Sequence, residues 1–184
     1  MSKEETIIGV ISDTHGNYNR KVNDIFKNVD CIFHAGDIGN NDTVMINLES
    51  IAPVYAVRGN CDTGHNTAKL HSEINVKIAN TAIYMTHIPY QIDKQKAQNA
   101  NLVIFGHNHY PEIVELDNTK YLNPGSASQG RNGYPCSVAL VRITQNDIDI
   151  EIVGLLDCWI VGWVVSIKLI IGYLKTHISE SILR

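Results

Sequence analysis

Two histidines separated by one residue follow an apolar run in the second half of the chain. The run is Val103-Ile104-Phe105, and Gly106-His107-Asn108-His109 comes directly after it. A short β-branched and aromatic run that ends at a glycine is typical of a buried strand. Side chains at positions i and i+2 of an extended segment point the same way. The spacing therefore predicts that both imidazoles face one site at the end of a strand.

Other metal-binding side chains also follow apolar runs. Seven of them come from five predicted loops: Asp13, His15, Asp37, Asn60, His87, His107 and His109. Each alone has an ordinary alternative as a helix cap, a turn residue or a structural histidine, but their repeated position favours a ligand set. Carboxylate, amide and imidazole ligands suit Mn²⁺, Fe²⁺, Zn²⁺, Ni²⁺ or Co²⁺. Two such ions about 3.5–4 Å apart activate a water and hold a phosphoryl group for in-line attack.

Alternating strands and helices are predicted to position these residues. Three strand–loop–helix units open the chain, and Asp42 is expected to cap the second helix. Such units predict a parallel or mixed sheet with functional groups at the carboxyl ends of its strands. After residue 73 we expect a hairpin ending at His87, a helix, the strand before the two histidines, and then four more strands. The strands are predicted at 6–11, 31–34, 54–57, 74–78, 82–85, 102–105, 112–116, 120–122, 137–143 and 148–153, and the third helix at 94–101.

Composition restricts the partners and the location. The chain has 184 residues, 44% hydrophobic and 18% charged, which is typical of one globular domain. Its net charge of −4 carries no basic footprint, so long nucleic acid is not an expected partner. The four cysteines form no CxxC pair, which argues against a zinc ribbon. The charged segment 1–5 does not resemble a signal peptide, and a cytoplasmic location is expected.

The C-terminal segment differs from the rest of the chain. Leu155 to Leu174 is almost wholly apolar and as a helix would reach across a bilayer. Asp157 and Lys168 oppose insertion, since a charge at the centre of a span costs about 2.5–3.5 kcal/mol. The alternatives are a helix buried against the sheet or in a homodimer contact, a membrane-associating tail, or an extension outside the fold. We therefore predict a domain over residues 1–153 and an apolar, helical tail over 154–184, whose role the sequence leaves open.

Six motifs occur in an order that resembles the calcineurin-like metallophosphoesterase superfamily: SDTHGN, HAGDIGN, RGNCD, MTHI, FGHNH and NPGS. They are most similar to those of its small single-domain bacterial and archaeal phosphodiesterases, over about residues 6–153. The resemblance implies an α/β fold, a two-sheet β-sandwich flanked by helices, with a dinuclear site at the strand carboxyl ends. It implies two divalent metal ions, with Mn²⁺ expected first and Ni²⁺, Fe²⁺, Zn²⁺ or Co²⁺ as alternatives.

The resemblance also implies roles for the seven residues. The first ion would be bound by Asp13, His15 and His109, and Asp37 would bridge both ions. The second ion would be completed by Asn60, His87 and His107. A metal-bridging hydroxide would attack phosphorus in line, so Asp37, Asn60 and His87 would contribute to catalysis through metal activation of water.

Two departures from the family pattern and two candidate arginines concern the substrate. Cys61 stands where many members have a histidine that protonates the leaving group. The GNCD motif fits the small phosphodiesterases but leaves the general acid unassigned. His65 is either that acid or a plain loop residue. Ile88-Pro89 replaces a common Gly-His pair, so a secondary phosphate contact is expected to be absent. Arg131 is a candidate phosphate contact or a solvated loop residue, and the case for Arg58 is similar but weaker.

These features predict a hydrolase, a dinuclear-metal phosphodiesterase acting on small phosphodiesters such as cyclic nucleotides or aryl diesters. One alternative is a phosphomonoesterase or nuclease that uses the same site. The other is a non-catalytic protein-binding scaffold of the same fold, as in a retromer subunit whose metal site is degraded. The complete ligand set favours the enzyme.

Overall fold

Two five-stranded sheets make up most of the computed structural model, which describes residues 5–131 and 133–155. Three short helices accompany them: α1 (Lys21–Phe26), α2 (Thr43–Glu49) and α3 (Lys94–Gln98). The strands are β1 (Thr6–Ile11), β2 (Cys31–His34), β3 (Val54–Ala56), β4 (Glu73–Ile78), β5 (Thr81–Thr86), β6 (Leu102–Ile104), β7 (Pro111–Leu116), β8 (Thr119–Pro124), β9 (Ser137–Ile143) and β10 (Ile148–Gly154).

The first sheet is mixed, as the strand–loop–helix units predict. Its order is β10-β9-β1-β2-β3, with β1, β2 and β3 parallel, β9 antiparallel to β1, and β10 antiparallel to β9. Because parallel strands end at a common edge, the loops after β1, β2 and β3 lie together.

The second sheet adds two further strand ends. Its order is β4-β5-β6-β8-β7, and β5, β6 and β8 run parallel. The hairpins β4–β5 and β7–β8 complete it on either side. His87 follows β5, and the two histidines of the opening motif follow β6, so three of the predicted ligands leave one edge of this sheet.

Apolar faces bury the two sheets against each other. The core between them includes Ile8 and Phe33 from the first sheet and Met85 and Ile104 from the second, all fully buried. A second cluster holds α1 and α2 on the outer face of the first sheet, and a third, around Ala97, places α3 on the second. The predicted fold class, a two-sheet sandwich flanked by helices, is confirmed.

Local details differ from the predictions at two helices. Asp42 lies at the N-cap position of α2, but its carboxylate accepts a hydrogen bond from Asn66 Nδ2 at 2.9 Å instead of capping the helix. The third helix ends at Gln98, three residues before the predicted end. Asp93 caps the start of this helix, because its side chain accepts hydrogen bonds from the backbone N–H groups of Gln95 and Lys96.

The predicted boundary between domain and tail falls at the end of β10. Gly154 is the last residue of that strand, and Leu155 is fully buried and donates its N–H to the Cys136 carbonyl at 2.7 Å. The predictions for the remaining tail lie outside the described residues. Within residues 5–131 and 133–155, no helix has the length and apolarity needed to cross a membrane.

Candidate metal centre

The first two loops are joined along their backbones. Asp13 N–H donates to the Gly36 carbonyl at 3.0 Å, and His15 N–H donates to the Asp37 carbonyl at 2.9 Å. These hydrogen bonds align the loop after β1 with the loop after β2, because both leave the same edge of the first sheet. Two carboxylates and one imidazole are thereby held side by side.

One group of ligand atoms is formed by the residues predicted for the first ion. His15 Nε2 lies 3.2 Å from His109 Nε2, and His109 Nε2 lies 3.2 Å from Asp13 Oδ1. Atoms about 3 Å apart have the spacing of ligands that share one ion at bond lengths of roughly 2.0–2.2 Å. Asp13 and His109 are almost completely buried, so the group is largely shielded from solvent.

A second group contains the residues predicted for the second ion. The Asn60 side-chain oxygen lies 3.1 Å from His87 Nε2 and 2.9 Å from His107 Nδ1. The rings of His87 and His107 are perpendicular, with their centroids 5.3 Å apart. An amide oxygen and two imidazole nitrogens therefore meet at one point.

Asp37 lies between the two groups. Its Oδ2 is 3.4 Å from His87 Nε2 and 4.0 Å from His15 Nε2. Its other oxygen accepts the Cys61 backbone N–H at 2.8 Å, which fixes the carboxylate in this orientation. A carboxylate that faces both groups has the position required of a bridging ligand.

The hydrogen-bond pattern fits cations better than an isolated polar cluster. Asp13 Oδ1 is buried and has no hydrogen-bond partner among the described residues, which is unfavourable unless a ligand satisfies it. His109 Nδ1 donates to the Gln129 carbonyl at 2.9 Å and His87 Nδ1 to the Ala35 carbonyl at 2.7 Å. Each ring therefore presents Nε2 to the cluster, as metal-binding histidines do. The residues present fit two divalent cations.

Backbone conformation, rather than strand alternation, aims these side chains. Among the described residues, eight non-glycine residues have positive φ, and five of them belong to the predicted ligand set: Asp13, His15, Asp37, His107 and His109. The prediction assumed that His107 and His109 lie on an extended segment, and this assumption is wrong. Their φ angles are 72° and 62°, in the left-handed region, and β6 ends at Ile104. Such conformations are unfavourable and persist where the surrounding structure enforces them.

The electrostatic environment follows from this packing. Burial by itself would raise the pKa of Asp37, but hydrogen bonds from the His87 imidazole and the Cys61 N–H hold it well below its ordinary value. Burial would lower the pKa of His87, but the hydrogen bond with Asp37 and the nearby carboxylates raise it. Burial lowers the pKa of His107, and the neighbouring His87 adds to that effect. The cluster therefore holds its bridging carboxylate ionised.

The NPGS segment and the residues just after it form hydrogen bonds with the backbone of two ligand loops. Ser126 and Ser128 hydroxyls donate to the Asp13 carbonyl at 2.8 and 2.9 Å, and the Asn123 amide donates to the Gly106 carbonyl at 3.0 Å. Arg131, the candidate phosphate contact further along this loop, is exposed. Its guanidinium makes no hydrogen bond or ion pair with the described part of the chain, so no contact brings it to the ligand cluster.

Two site residues were missed in the RGNCD motif. Cys61 Sγ lies within 4.8 Å of ligand atoms of His15 and Asp37, although the sequence pattern identified only oxygen and nitrogen ligands. Burial and the hydrogen bond with Asp37 raise the pKa of the Cys61 thiol, which opposes a role as nucleophile. Asp62 accepts the N–H groups of Gly39 and Gly59 at 2.9 and 2.8 Å, joining the loops after β2 and β3.

His65, the alternative general acid, is engaged elsewhere. It is exposed, and its Nε2 lies 2.8 Å from Lys69 Nζ in the 3₁₀ turn Thr67–Lys69. This contact favours the plain loop residue over the acid.

His34 in the HAGDIGN motif is a further residue beside the site that the sequence pattern did not identify. It is fully buried at the end of β2, and its Nε2 lies 2.9 Å from Thr14 Oγ1. Because the Thr14 hydroxyl donates to the Ile38 carbonyl, His34 Nε2 carries a proton and donates it to Thr14. The buried Nδ1 has no hydrogen-bond partner among the described residues, as expected of a neutral ring. Burial lowers the pKa of His34 from 6.5 to about 3.

This histidine should make the metal-free protein sensitive to acid. Between pH 6.5 and about 3 the unfolded chain binds a proton at His34 that the folded protein excludes. Stability therefore falls as the pH is lowered through this window, by up to about 1.4 kcal/mol per pH unit. His34→Gln should lose this component, and urea unfolding at several pH values measures it. Equal slopes for both proteins would contradict a neutral buried His34.

Comparison with known proteins gives three findings. A sequence model of the calcineurin-like phosphoesterase superfamily domain matches residues 7–146. A probable metallophosphoesterase of Methanothermobacter thermautotrophicus is 34% identical over 160 residues, 80% of this chain and 91% of the relative. The phosphodiesterase YfcE of Escherichia coli is 30% identical over 118 residues, 60% of this chain and 62% of the relative.

Solved structures share the fold. The zinc complex of Vps29 from Entamoeba histolytica superimposes with a TM-score of 0.61 over 81% of this chain and 99% of that protein. Its sequence identity of 21% makes it evidence for the fold alone.

Proposed function

The chain belongs to the calcineurin-like phosphoesterase superfamily, and from this we propose that it is a dinuclear-metal hydrolase of small phosphodiesters. One observation carries the proposal: all seven predicted ligand side chains, from five separate loops, gather in two adjoining groups with Asp37 between them. Two divalent cations, with Mn²⁺ proposed first, would be held by these groups in the roles that the family resemblance implies.

The protein's own part is to hold ligands and charge in place. Asp13, His15 and His109 would hold one ion, and Asn60, His87 and His107 the other, with Asp37 shared. When bound, such ions supply an activated water for in-line attack and stabilise negative charge on the phosphoryl oxygens. Hydrogen bonds to the Gln129 and Ala35 carbonyls orient the imidazoles of His109 and His87 before substrate binds. These side chains therefore need not reorient during the reaction.

The diester preference rests on relatives and on the site's surroundings. YfcE is named a phosphodiesterase, and the resemblance of the GNCD motif, with Cys61 after Asn60, to the small phosphodiesterases implies the same class of substrate. The acidic composition opposes binding of long nucleic acid, which needs clustered lysine and arginine. A cytoplasmic location, a homodimer and membrane contact through the tail remain proposals.

A protein-binding scaffold is the competing function, because Vps29 has the same fold. Loss of ligands would favour it, since a scaffold does not need them. Here every predicted ligand is present and oriented toward its group. This completeness supports the enzyme.

Metal removal tests the proposal directly. Protein stripped with a chelator should hydrolyse bis(p-nitrophenyl) phosphate at the background rate, and added Mn²⁺ should restore turnover because both the nucleophile and the charge stabilisation depend on the ions. Initial rates against Mn²⁺ concentration measure this, with p-nitrophenyl phosphate alongside to compare monoester with diester. Absence of metal-dependent turnover on either ester would refute the enzyme and favour the scaffold, whereas faster monoester turnover would refute the diester preference.

A further inference from the structure

A cleft of about 530 Å³ opens beside the second ligand group. Asn60 and His87, two proposed ligands of the second ion, form part of its wall. Small-molecule sites in proteins have volumes of about 300–1,000 Å³. The cleft is therefore large enough for a substrate group that extends from a phosphate bound at the metals.

The permanent positive charge of the cleft wall comes from one side chain. Arg58 is the one lysine or arginine among the described residues that line it, and it is exposed. Its Nη1 donates to the Ala68 carbonyl at 3.2 Å, which holds the guanidinium against the wall and leaves most of its five N–H donors for a ligand. No carboxylate of the described residues forms an ion pair with it.

The acidic residue of the cleft does not form an ion pair with Arg58. Asp62 also lines the wall, but it is 3% exposed and its two oxygens accept the Gly39 and Gly59 N–H groups. Hydroxyl and amide side chains of Thr63, Ser72 and Gln91 add hydrogen-bonding groups, and Ile88 adds an apolar surface. A cation beside neutral hydrogen-bonding groups is suited to an anion.

We propose that this cleft binds a second phosphate group of the substrate, with Arg58 as the residue that recognises it. The inference rests on the proposed function, because the first phosphate is the one placed at the metals. A guanidinium binds phosphate through two parallel N–H···O hydrogen bonds, whereas a lysine acts as a point charge. The preferred substrates are then phosphodiesters that carry an additional phosphate, such as nucleotide diesters with a terminal phosphate.

A matched pair of substrates tests this. Thymidine 5′-(p-nitrophenyl phosphate) is compared with the same compound bearing a 3′-phosphate, both with Mn²⁺-loaded protein. The 3′-phosphate should lower KM about tenfold, because it adds charge-assisted hydrogen bonds. Arg58→Gln should abolish that difference while leaving KM for the simpler diester nearly unchanged, and Arg58→Lys should retain part of it.

The control is Lys77→Gln, which removes an exposed cation near the β4–β5 turn, at the end of the hairpin remote from His87. It should leave the tenfold preference intact. Equal KM values for the two substrates in the unaltered protein, or a preference that survives Arg58→Gln, would overturn the inference without affecting the proposed function.

Failure of the proposed hydrolase function can be distinguished from failure of the second phosphate site. If neither substrate is hydrolysed, calorimetric titration of the Mn²⁺-loaded protein with thymidine 3′,5′-bisphosphate and thymidine 5′-monophosphate decides the question. Tighter binding of the bisphosphate that is lost in Arg58→Gln would support the second phosphate site. Equal affinities would overturn it. Thermal melting of Arg58→Gln checks that loss of the hydrogen bond to Ala68 has not unfolded the loop.

Discussion

Asp37→Asn should reduce Mn²⁺-dependent hydrolysis of bis(p-nitrophenyl) phosphate by about 10³-fold or more. The substitution keeps the size of the side chain and removes the charge that lies between the two ligand groups. Both ions would lose their shared ligand, so metal content should fall from two ions per chain. Values of kcat/KM and metal analysis after gel filtration measure the two effects.

The control for Asp37→Asn is Asp24→Asn, a change of the same chemistry on the exposed surface of α1. It should alter neither activity nor metal content. Because Asp37 is buried, thermal melting of the metal-free variant must show a folded protein before its activity is interpreted. A folded Asp37→Asn variant that keeps two ions and full activity would exclude the bridging role.

Gly59→Ala should lower the proposed activity through packing alone. A Cβ at this position would overlap both Asp37 Oδ1 and the Asp37 backbone nitrogen, and the backbone atom cannot be moved by a side-chain rotation. We expect the free energy of unfolding to fall by about 1–3 kcal/mol, as for other overpacked positions. Displacement of Asp37 by about 1 Å should lower kcat/KM by roughly 10²-fold.

Gly154→Ala is the matched control for Gly59→Ala. Gly154 lies at the end of β10, where an added Cβ would have no heavy atom within 4 Å among the described residues. Urea unfolding and kcat/KM of the two variants separate the general effect of an added methyl from the close approach at Asp37. Near-normal activity in Gly59→Ala would show that the Asp37 loop adjusts without loss of metal binding.

The positions of the strands and the identity of the candidate ligands were accessible from sequence. Apolar runs identified strands such as β2 and β6 because a strand buried on both faces needs continuous hydrophobic residues. The ligand types follow each run directly, as Asp13 follows β1 and His87 follows β5. The strand–loop–helix units predicted a parallel or mixed sheet, because such units restrict how sheets can form, whereas the two-sheet sandwich was predicted from the family resemblance.

The ranking of the two arginines was not accessible from sequence. Arg131 was preferred over Arg58 because the family resemblance implies that its loop lies beside the metals. In the structure Arg58 lines the cleft beside Asn60, and Arg131 is exposed without a contact to the ligand cluster. Local sequence describes the loop that carries a side chain. It does not describe which surface that loop approaches.

By itself, the sequence determined which residues can bind metal and which strands they follow. Only the tertiary structure decided how they converge. The left-handed backbone at His107 and His109, the hydrogen bond from Cys61 to Asp37 and the contact between His15 and His109 join residues that are distant along the chain or break the regular strand geometry. Such features arise from packing of separate loops, which enforces backbone conformations that no local pattern favours.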